Sequence, residues 1–221
     1  MKGLVKRLLF GSEVQPRAIW FGPAAGVRLW IDPAHKSQRI LGLDEREIIA
    51  DFRRLATAAR GFLDIGASDG YYCVLARKFN PSIRAIGCDA GAEWAVAAER
   101  NYDLNFSDHR AGLSWQPVFV GNEAGQLTLD ELARELPAPV FVKIDVDGHE
   151  LSVLDSGKAL LAAPGTTWLI ETHAPELETG CIERLAQHGY ACRVIDHAWW
   201  RALVPERRIV PHNRWLIAER L

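Results

Sequence analysis

The feature that most constrains the fold of this chain is a regular alternation of short apolar runs with longer amphipathic runs. Apolar runs of strand length, among them 61–66, 82–90 and 140–146, are each followed by a run of helix length. A strand that is apolar on both sides must be covered on both faces, so the pattern predicts a mostly parallel sheet between helices. The predicted fold is therefore α/β and Rossmann-like, with a doubly wound sheet.

The predicted elements extend through the whole chain. A β pair is expected over 18–32, and a helix from Asp44, where Asp44 and Glu47 have the spacing of a capping box. The remaining predicted strands are 61–66, 82–90, 114–121, 140–146, 166–173, 190–196 and 214–221, and the helices are 70–79, 92–106, 128–135, 148–162 and 175–188. Because no Pro/Gly-rich linker divides the chain, we expect an N-terminal extension with the hairpin (1–43) and one globular domain (44–221).

Composition narrows the function classes. The 26 Lys and Arg residues nearly balance the 28 Asp and Glu residues, which is not the basic surface that nucleic-acid binding requires, so a small or neutral substrate is expected. The chain has no uncharged apolar stretch of about 18 residues, and Lys6 and Arg7 interrupt the N-terminal apolar residues, so no membrane association is expected and the expected compartment is the cytoplasm. Cys73 and Cys88 have no zinc-type spacing and are interpreted as buried apolar residues.

A glycine loop joins the first core strand to its helix. Gly66 and Gly70 allow a tight turn and a close approach to a ligand, but Ser68 occupies the position of the second glycine of a dinucleotide fingerprint, which disfavours NAD. The Asp64 carboxylate is placed to receive the α-ammonium group of a methionine-like cofactor, and Asp89, at the end of the next strand, is placed to accept ribose hydroxyls. The candidate cofactor-binding residues are Asp64, Gly66, Ala67, Ser68, Gly70 and Asp89. The alternative is a generic strand-turn-helix whose acids cap helices.

Polar residues also end two later strands. Lys143 and Asp145 share one face of a central strand, which indicates either a buried structural ion pair or a catalytic carboxylate oriented by the lysine. Glu171 and His173 end the following strand, so Asp145, Glu171 and His173 are expected to converge at one edge, although solvation alone would also explain a polar pair there.

The next helix begins with another pair of acids. Asp147 and Glu150 have the spacing of a second capping box, which we take as their role, with Gly148 in the turn. His149 either lines the site or faces solvent.

These motifs together resemble the FkbM-type methyltransferases. The resemblance rests on LDIGASDGYY (63–72), GCDA (87–90), VKIDVDGHELSVLDSG (142–157) and LIETH (169–173), with support from LGLDEREI (41–48) and NRWLIAER (213–220). Ser68 and Asp147 depart from the asparagine and glutamate usual in the family.

The resemblance implies a class I methyltransferase fold ending in an antiparallel hairpin. It also implies S-adenosylmethionine as cofactor and commonly O-methylation of sugar or natural-product hydroxyls. The alternatives are a cofactor-binding module without turnover and an NAD-dependent oxidoreductase.

The transfer requires removal of a proton from the acceptor, and two versions of the site would achieve it. In the first, His173 is the general base and Asp145 or Glu171 orients it. In the second, Asp145, Glu171 and His173 bind a divalent metal that activates the acceptor hydroxyl. The metal-free version is slightly preferred, because no Asp-Asp or Asp-Asn pair supplies further ligands.

One irregular segment, 197–213, separates the last two predicted strands. It contains Trp199, Trp200 and Arg201. Because loops between sheet elements often carry function, and aromatic rings beside a cation suit stacking on a sugar or flat ring, we expect these residues to form a lid over the acceptor.

Overall fold

A two-stranded hairpin precedes a seven-stranded mixed sheet in the structure, a computed structural model that describes residues 9–108, 110–205 and 212–220. The hairpin strands β1 (Gln15–Ala18) and β2 (Arg28–Ile31) are antiparallel. The observed hairpin begins three residues before the predicted pair over 18–32, and residues 19–27 lie between its strands.

The large sheet has the order β5-β4-β3-β6-β7-β9-β8. Its strands are β3 (Gly61–Ile65), β4 (Arg84–Cys88), β5 (Leu113–Gln116), β6 (Val140–Ile144), β7 (Thr167–Thr172), β8 (Tyr190–Ile195) and β9 (Arg214–Arg220). The first five are parallel, and β9 runs antiparallel to both β7 and β8. Every residue of β3 and β6 is buried, including Asp64 and Lys143, which interrupt otherwise apolar runs. The predicted Rossmann-like fold with a terminal antiparallel hairpin is confirmed.

Helices cover both faces of this sheet, and each face has its own apolar cluster. The helices are α1 (Pro33–Ile40), α2 (Arg46–Ala58), α3 (Tyr71–Phe79), α4 (Ala92–Asp103), α5 (Leu129–Ala133), α6 (Glu150–Asp155), α7 (Lys158–Ala162) and α8 (Pro175–Gln187). Within the described ranges, no helix has the length and apolarity to cross a membrane.

Helix α1 was not predicted, although its start signal is present in the sequence. Asp32 caps the helix by accepting a hydrogen bond from the backbone N–H of Ala34, and Pro33 occupies the first helical turn.

One predicted helix start and one predicted continuous helix are corrected. Helix α2 follows Glu45, which has a left-handed backbone and no capping side chain, so the Asp44/Glu47 capping box is not formed. The predicted helix over 148–162 is divided into α6 and α7 at Gly157, where a Cβ would lie 3.0 Å from the side chain of Leu129.

The N-terminal elements contact the main sheet and its helices extensively. Asn101 of α4 accepts a hydrogen bond from the backbone N–H of Trp30, and Leu29 and Ile31 belong to the same apolar cluster as Phe62 of β3. The division at residue 43 stays a prediction, and residues 1–8 of the extension lie outside the described residues.

Candidate active site

The glycine loop passes very close to the end of the neighbouring strand. Gly66 has a φ of 83°, and a Cβ there would lie 1.8 Å from the carbonyl oxygen of Asp145. Gly70 has a φ of 75°, and a Cβ there would lie 2.7 Å from the side chains of both Ala98 and Trp115. Both glycines are therefore required by close packing as well as by backbone conformation.

Asp89 lies beside this loop at the end of β4. Its Oδ2 accepts a hydrogen bond of 2.8 Å from the backbone N–H of Ser68, which has a φ of 46°. The carboxylate is partly exposed. Asp89 is thus held against the loop by one oxygen.

A cleft of about 490 Å³ opens where the strand order reverses, between the carboxyl ends of β3, β4 and β6. Of the predicted residues, it is lined by Gly66, Asp89, Asp145 and the exposed His149. Ala67 and Ser68 line a small neighbouring cavity that Asp89 shares. The topological switch point of such a sheet is where ligands usually bind.

Asp64 is not brought to this cleft. It is fully buried, and the thiol of Cys73 lies 3.5 Å from its Oδ2. Burial raises the pKa of Asp64 to about 6, although the positive charge of Lys143 opposes the shift. A role for Asp64 toward the cofactor stays a prediction.

Lys143 forms the predicted pair with Asp145. Its Nζ lies 3.0 Å from Asp145 Oδ2 and 4.5 Å from the centre of the Tyr72 ring. The lysine is 1% exposed. Burial by itself would lower the pKa of Lys143, but the charges of Asp145 and Glu45 outweigh it and raise that pKa. The ammonium group therefore remains charged inside the protein.

Glu171 lies close to Asp145, as the strand order predicted. It is 7% exposed, and its Oε2 accepts a hydrogen bond of 3.2 Å from the indole N–H of Trp215. Burial and then the charge of Asp145 raise the pKa of Glu171 well above its ordinary value.

His173 lies among carboxylates on both sides of its ring. Its Nδ1 is 2.5 Å from Glu150 Oε1, and its Nε2 is 3.2 Å from Asp147 Oδ1. The same Nε2 lies 3.7 Å from Glu171 Oε1 and 3.8 Å from Asp145 Oδ1. Burial opposes protonation, but the Glu150 hydrogen bond and the charge of Asp145 outweigh it and raise the pKa of His173.

Glu150 is a site residue that the sequence interpretation missed. The predicted Asp147/Glu150 capping box is wrong. His149 occupies the N-cap position of α6, and no side chain there makes a capping hydrogen bond. Glu150 is fully buried and orients His173 instead. Its position in the motif at 142–157 was the available signal, but the local spacing favoured a cap.

Glu45 is a second missed residue. It accepts a hydrogen bond from the hydroxyl of Tyr72. Burial raises the pKa of Glu45 to about 7, against the opposing charge of Lys143. Only the motif at 41–48 pointed to it, because a residue just before a helix follows no periodicity.

The segment after β8 is held by Arg201. This arginine is buried and its Nη2 lies 2.7 Å from Glu47 Oε2, so it anchors the segment to α2. Trp199 is 82% exposed and Trp200 is partly buried, so neither indole lies in the sheet core. The lid itself stays a prediction, and residues 206–211 of its segment lie outside the described residues.

Comparison of the sequence with models of protein families identifies one match. The model of the methyltransferase FkbM domain matches residues 89–198, about half of the chain. The match covers the ends of β4, β6 and β7, where Asp89, Asp145, Glu171 and His173 lie. The chain belongs to the FkbM methyltransferase family. Among curated protein sequences, none matches it significantly.

Solved structures show the same fold. A methyltransferase FkbM from Methylobacillus flagellatus superposes with a TM-score of 0.59 at 15% identity, over 83% of this chain and 52% of that protein, so this chain spans about half of that relative's length. A precorrin-6y C5,15-methyltransferase from Geobacter metallireducens has a TM-score of 0.52 at 16% identity, over 79% and 88% of the two chains. An m1A22 tRNA methyltransferase from Bacillus subtilis has a TM-score of 0.51 at 13% identity, over 78% and 65%. The fold is thus that of a class I methyltransferase, and it is common to proteins named for different acceptors.

Proposed function

We propose that this FkbM methyltransferase uses S-adenosylmethionine to methylate a hydroxyl group of a small molecule. The observation that carries the proposal is the position of Asp89, held by Ser68 beside a cleft at the topological switch point. An acid at this strand end is suited to accept the two ribose hydroxyls of a nucleoside.

The cofactor's methionine part is proposed to lie along the glycine loop. Gly66 and Ser68 are partly exposed in this loop, whereas Ala67 and Gly70 are buried. The ribose is proposed to bind Asp89. Asp64 lies beneath the loop, and any direct bond to the α-ammonium group would require the loop to shift.

Asp145, Glu171 and His173 are proposed to act on the acceptor. One polar atom of each lies within 4.8 Å of the others, and Asp145 also borders the cleft. In the reaction, the acceptor hydroxyl loses its proton and its oxygen forms a bond to the methyl carbon. The sulfur–methyl bond breaks, and neutral S-adenosylhomocysteine leaves. Holding acceptor and methyl group in line and assisting the proton loss are the two contributions required of the protein.

A hydroxyl acceptor is favoured over a nucleic acid by charge. The chain's formal net charge is −2, and several of its carboxylates lie around His173. A negative charge disfavours a phosphate backbone, whereas carboxylates and imidazole suit proton removal from a neutral hydroxyl.

The test is a transfer assay with S-adenosylmethionine labelled in its methyl group. Separate reactions contain a panel of sugars, polyols and phenols, bulk tRNA, or a protein extract as acceptor. We expect label only in hydroxyl-bearing small molecules, with an equal amount of S-adenosylhomocysteine. Label in tRNA or protein would overturn the proposed acceptor class.

The assay also tests the site. His173→Ala is expected to lower kcat about 10²–10⁴-fold, the usual contribution of assistance to proton transfer. The exposed His35 provides the matched control, and His35→Ala should leave kcat unchanged.

A further inference from the structure

We propose that Asp145, Glu171 and His173 bind a divalent cation of the magnesium and manganese class, and that this ion holds an acceptor with two neighbouring hydroxyls. The inference rests on the proposed function and deepens it by naming a resident ion and a class of acceptor. The three residues are the group of potential ligands that comes together at the ends of β6 and β7.

The first argument is that each ligand atom is oriented from behind by another group. Asp145 Oδ2 accepts a hydrogen bond from Lys143, and Asp145 Oδ1 faces His173 Nε2. Glu171 Oε2 accepts a hydrogen bond from the indole of Trp215, and Glu171 Oε1 also faces His173 Nε2. A hydrogen bond between Asn213 and Glu171 holds this side chain further.

The imidazole is oriented in the same way. Glu150 is fully buried and accepts from Nδ1, which directs Nε2 toward Asp147 Oδ1 at 3.2 Å and toward the more distant inward oxygens of Asp145 and Glu171. A carboxylate behind a histidine is the usual outer partner of a metal-binding imidazole, because it fixes the tautomer and increases the basicity of the ligating nitrogen.

The second argument concerns distances. Nε2 lies 3.7 and 3.8 Å from the two inward oxygens, too far for direct hydrogen bonds. Magnesium binds its ligands at about 2.1 Å, so neighbouring ligands of one ion lie about 3 Å apart and opposite ones about 4 Å apart. The observed spacing falls within that range.

The third argument is charge. Asp145, Asp147, Glu150 and Glu171 each have an oxygen within 3.8 Å of a His173 ring nitrogen, and Lys143 pairs with Asp145. Acidic side chains thus outnumber basic ones in this cluster, and a cation stabilises their ionised forms in a half-buried site. Two carboxylates and one imidazole suit magnesium or manganese better than zinc, which prefers nitrogen and sulfur ligands.

The ion would leave coordination positions open toward the cleft. Two neighbouring hydroxyls of a sugar, polyol or catechol would fill them, and the ion would lower the pKa of one hydroxyl. That hydroxyl loses its proton to solvent, and its oxygen then attacks the methyl carbon as the sulfur–methyl bond breaks.

The test measures metal binding directly, without cofactor or acceptor. The full chain is titrated with Mn²⁺, and free Mn²⁺ is followed by electron paramagnetic resonance. We expect saturable binding at a single site that Mg²⁺ displaces. Glu171→Gln and His173→Ala should abolish it, and Glu150→Gln should weaken it about 10-fold or more.

The exposed Glu183 provides the control, and Glu183→Gln should bind Mn²⁺ as the unaltered chain does. Circular dichroism melting confirms that each variant is folded. Absence of Mn²⁺ binding to the unaltered chain, or binding that survives both Glu171→Gln and His173→Ala, would overturn the metal site. Cofactor binding measured separately would then still support the proposed function, with His173 as general base and Glu150 as its orienting partner.

Discussion

Asp89 is the residue on which the proposed cofactor assignment depends most directly. Its side chain meets the loop at Ser68 and also borders the cleft. Asp89→Ala is expected to weaken S-adenosylmethionine binding by about 1–3 kcal/mol, because ribose hydroxyls lose their acceptor. Calorimetric titration measures the change, and the exposed Asp103→Ala serves as control. Unchanged affinity in a folded Asp89→Ala variant would refute the assignment.

Gly66 tests the close approach of the loop to β6. Gly66→Ala and Gly125→Ala both place an alanine at a φ near 85°, but a Cβ at residue 125 has nothing within 4 Å. Both variants should lose about 1 kcal/mol of unfolding free energy through backbone strain, and only Gly66→Ala should lose more through its clash with Asp145. Equal losses in chemical denaturation would show that the loop does not require this contact.

The role of a residue could be predicted from the sequence only where a local spacing rule applied. The glycine loop and the acids at strand ends follow from strand-turn-helix spacing. The two D-x-x-E pairs were misinterpreted because distant partners bind their carboxylates: Arg39 binds Asp44, Arg201 binds Glu47, and His173 binds Glu150. Spacing along the chain contains no information about such partners.

At the scale of elements, α1 fixes the glycine loop. Asp69, in that loop, lies 2.6 Å from Lys36 and 2.9 Å from Arg39, both in α1. Burial would raise the pKa of Asp69, but the charges of Arg39 and Lys36 outweigh it and lower that pKa. The unpredicted helix thus positions the loop proposed to bind the cofactor.

This contact predicts a pH-dependent stability. Because the folded pKa of Asp69 is lowered, its stabilisation is present above the unfolded pKa, about 3.9, and is lost as the pH falls through the folded pKa. At pH 7, Asp69→Asn should lose roughly 3 kcal/mol of unfolding free energy, the lower end for breaking a buried pair, because Arg39 keeps Asp44. Denaturation of both proteins at several pH values should show the difference shrinking below about pH 4. A difference independent of pH would contradict the ionic account.

The short 3-10 helix Trp199–Ala202 permits a test of the predicted lid. Trp199 is exposed while Arg201 anchors the segment, so Trp199→Ala should leave stability and cofactor affinity unchanged. If Trp199 stacks on the acceptor, the variant should raise the acceptor KM about 2–10-fold, the scale of an aromatic contact. An unchanged KM would remove the lid.

The strands were predictable because burial on both faces leaves a continuous apolar run. Strands β3 and β6 follow that rule except at Asp64 and Lys143, which are buried as well. The break between α6 and α7 was not predictable, because it depends on Leu129 of α5 packing against Gly157.

At the scale of the whole molecule, three features of the fold meet near one site. The reversal of strand order between β3 and β6 creates the cleft, α1 fixes the loop on one side, and the ends of β6 and β7 bring Asp145, Glu171 and His173 together. Alternating apolar and amphipathic runs predicted the doubly wound parallel part of this sheet, and its antiparallel ending was expected from the family resemblance. They did not determine which strand-end side chains are exposed, and Asp64 is fully buried whereas Asp89 is partly exposed.

Whether the chain binds S-adenosylmethionine or NAD is tested most directly by isothermal titration calorimetry of the full chain with each compound separately. We expect saturable binding of S-adenosylmethionine at a single site and no binding of NAD, because Ser68 replaces the second glycine of a dinucleotide loop. Binding of NAD without S-adenosylmethionine, or binding of neither, would contradict it.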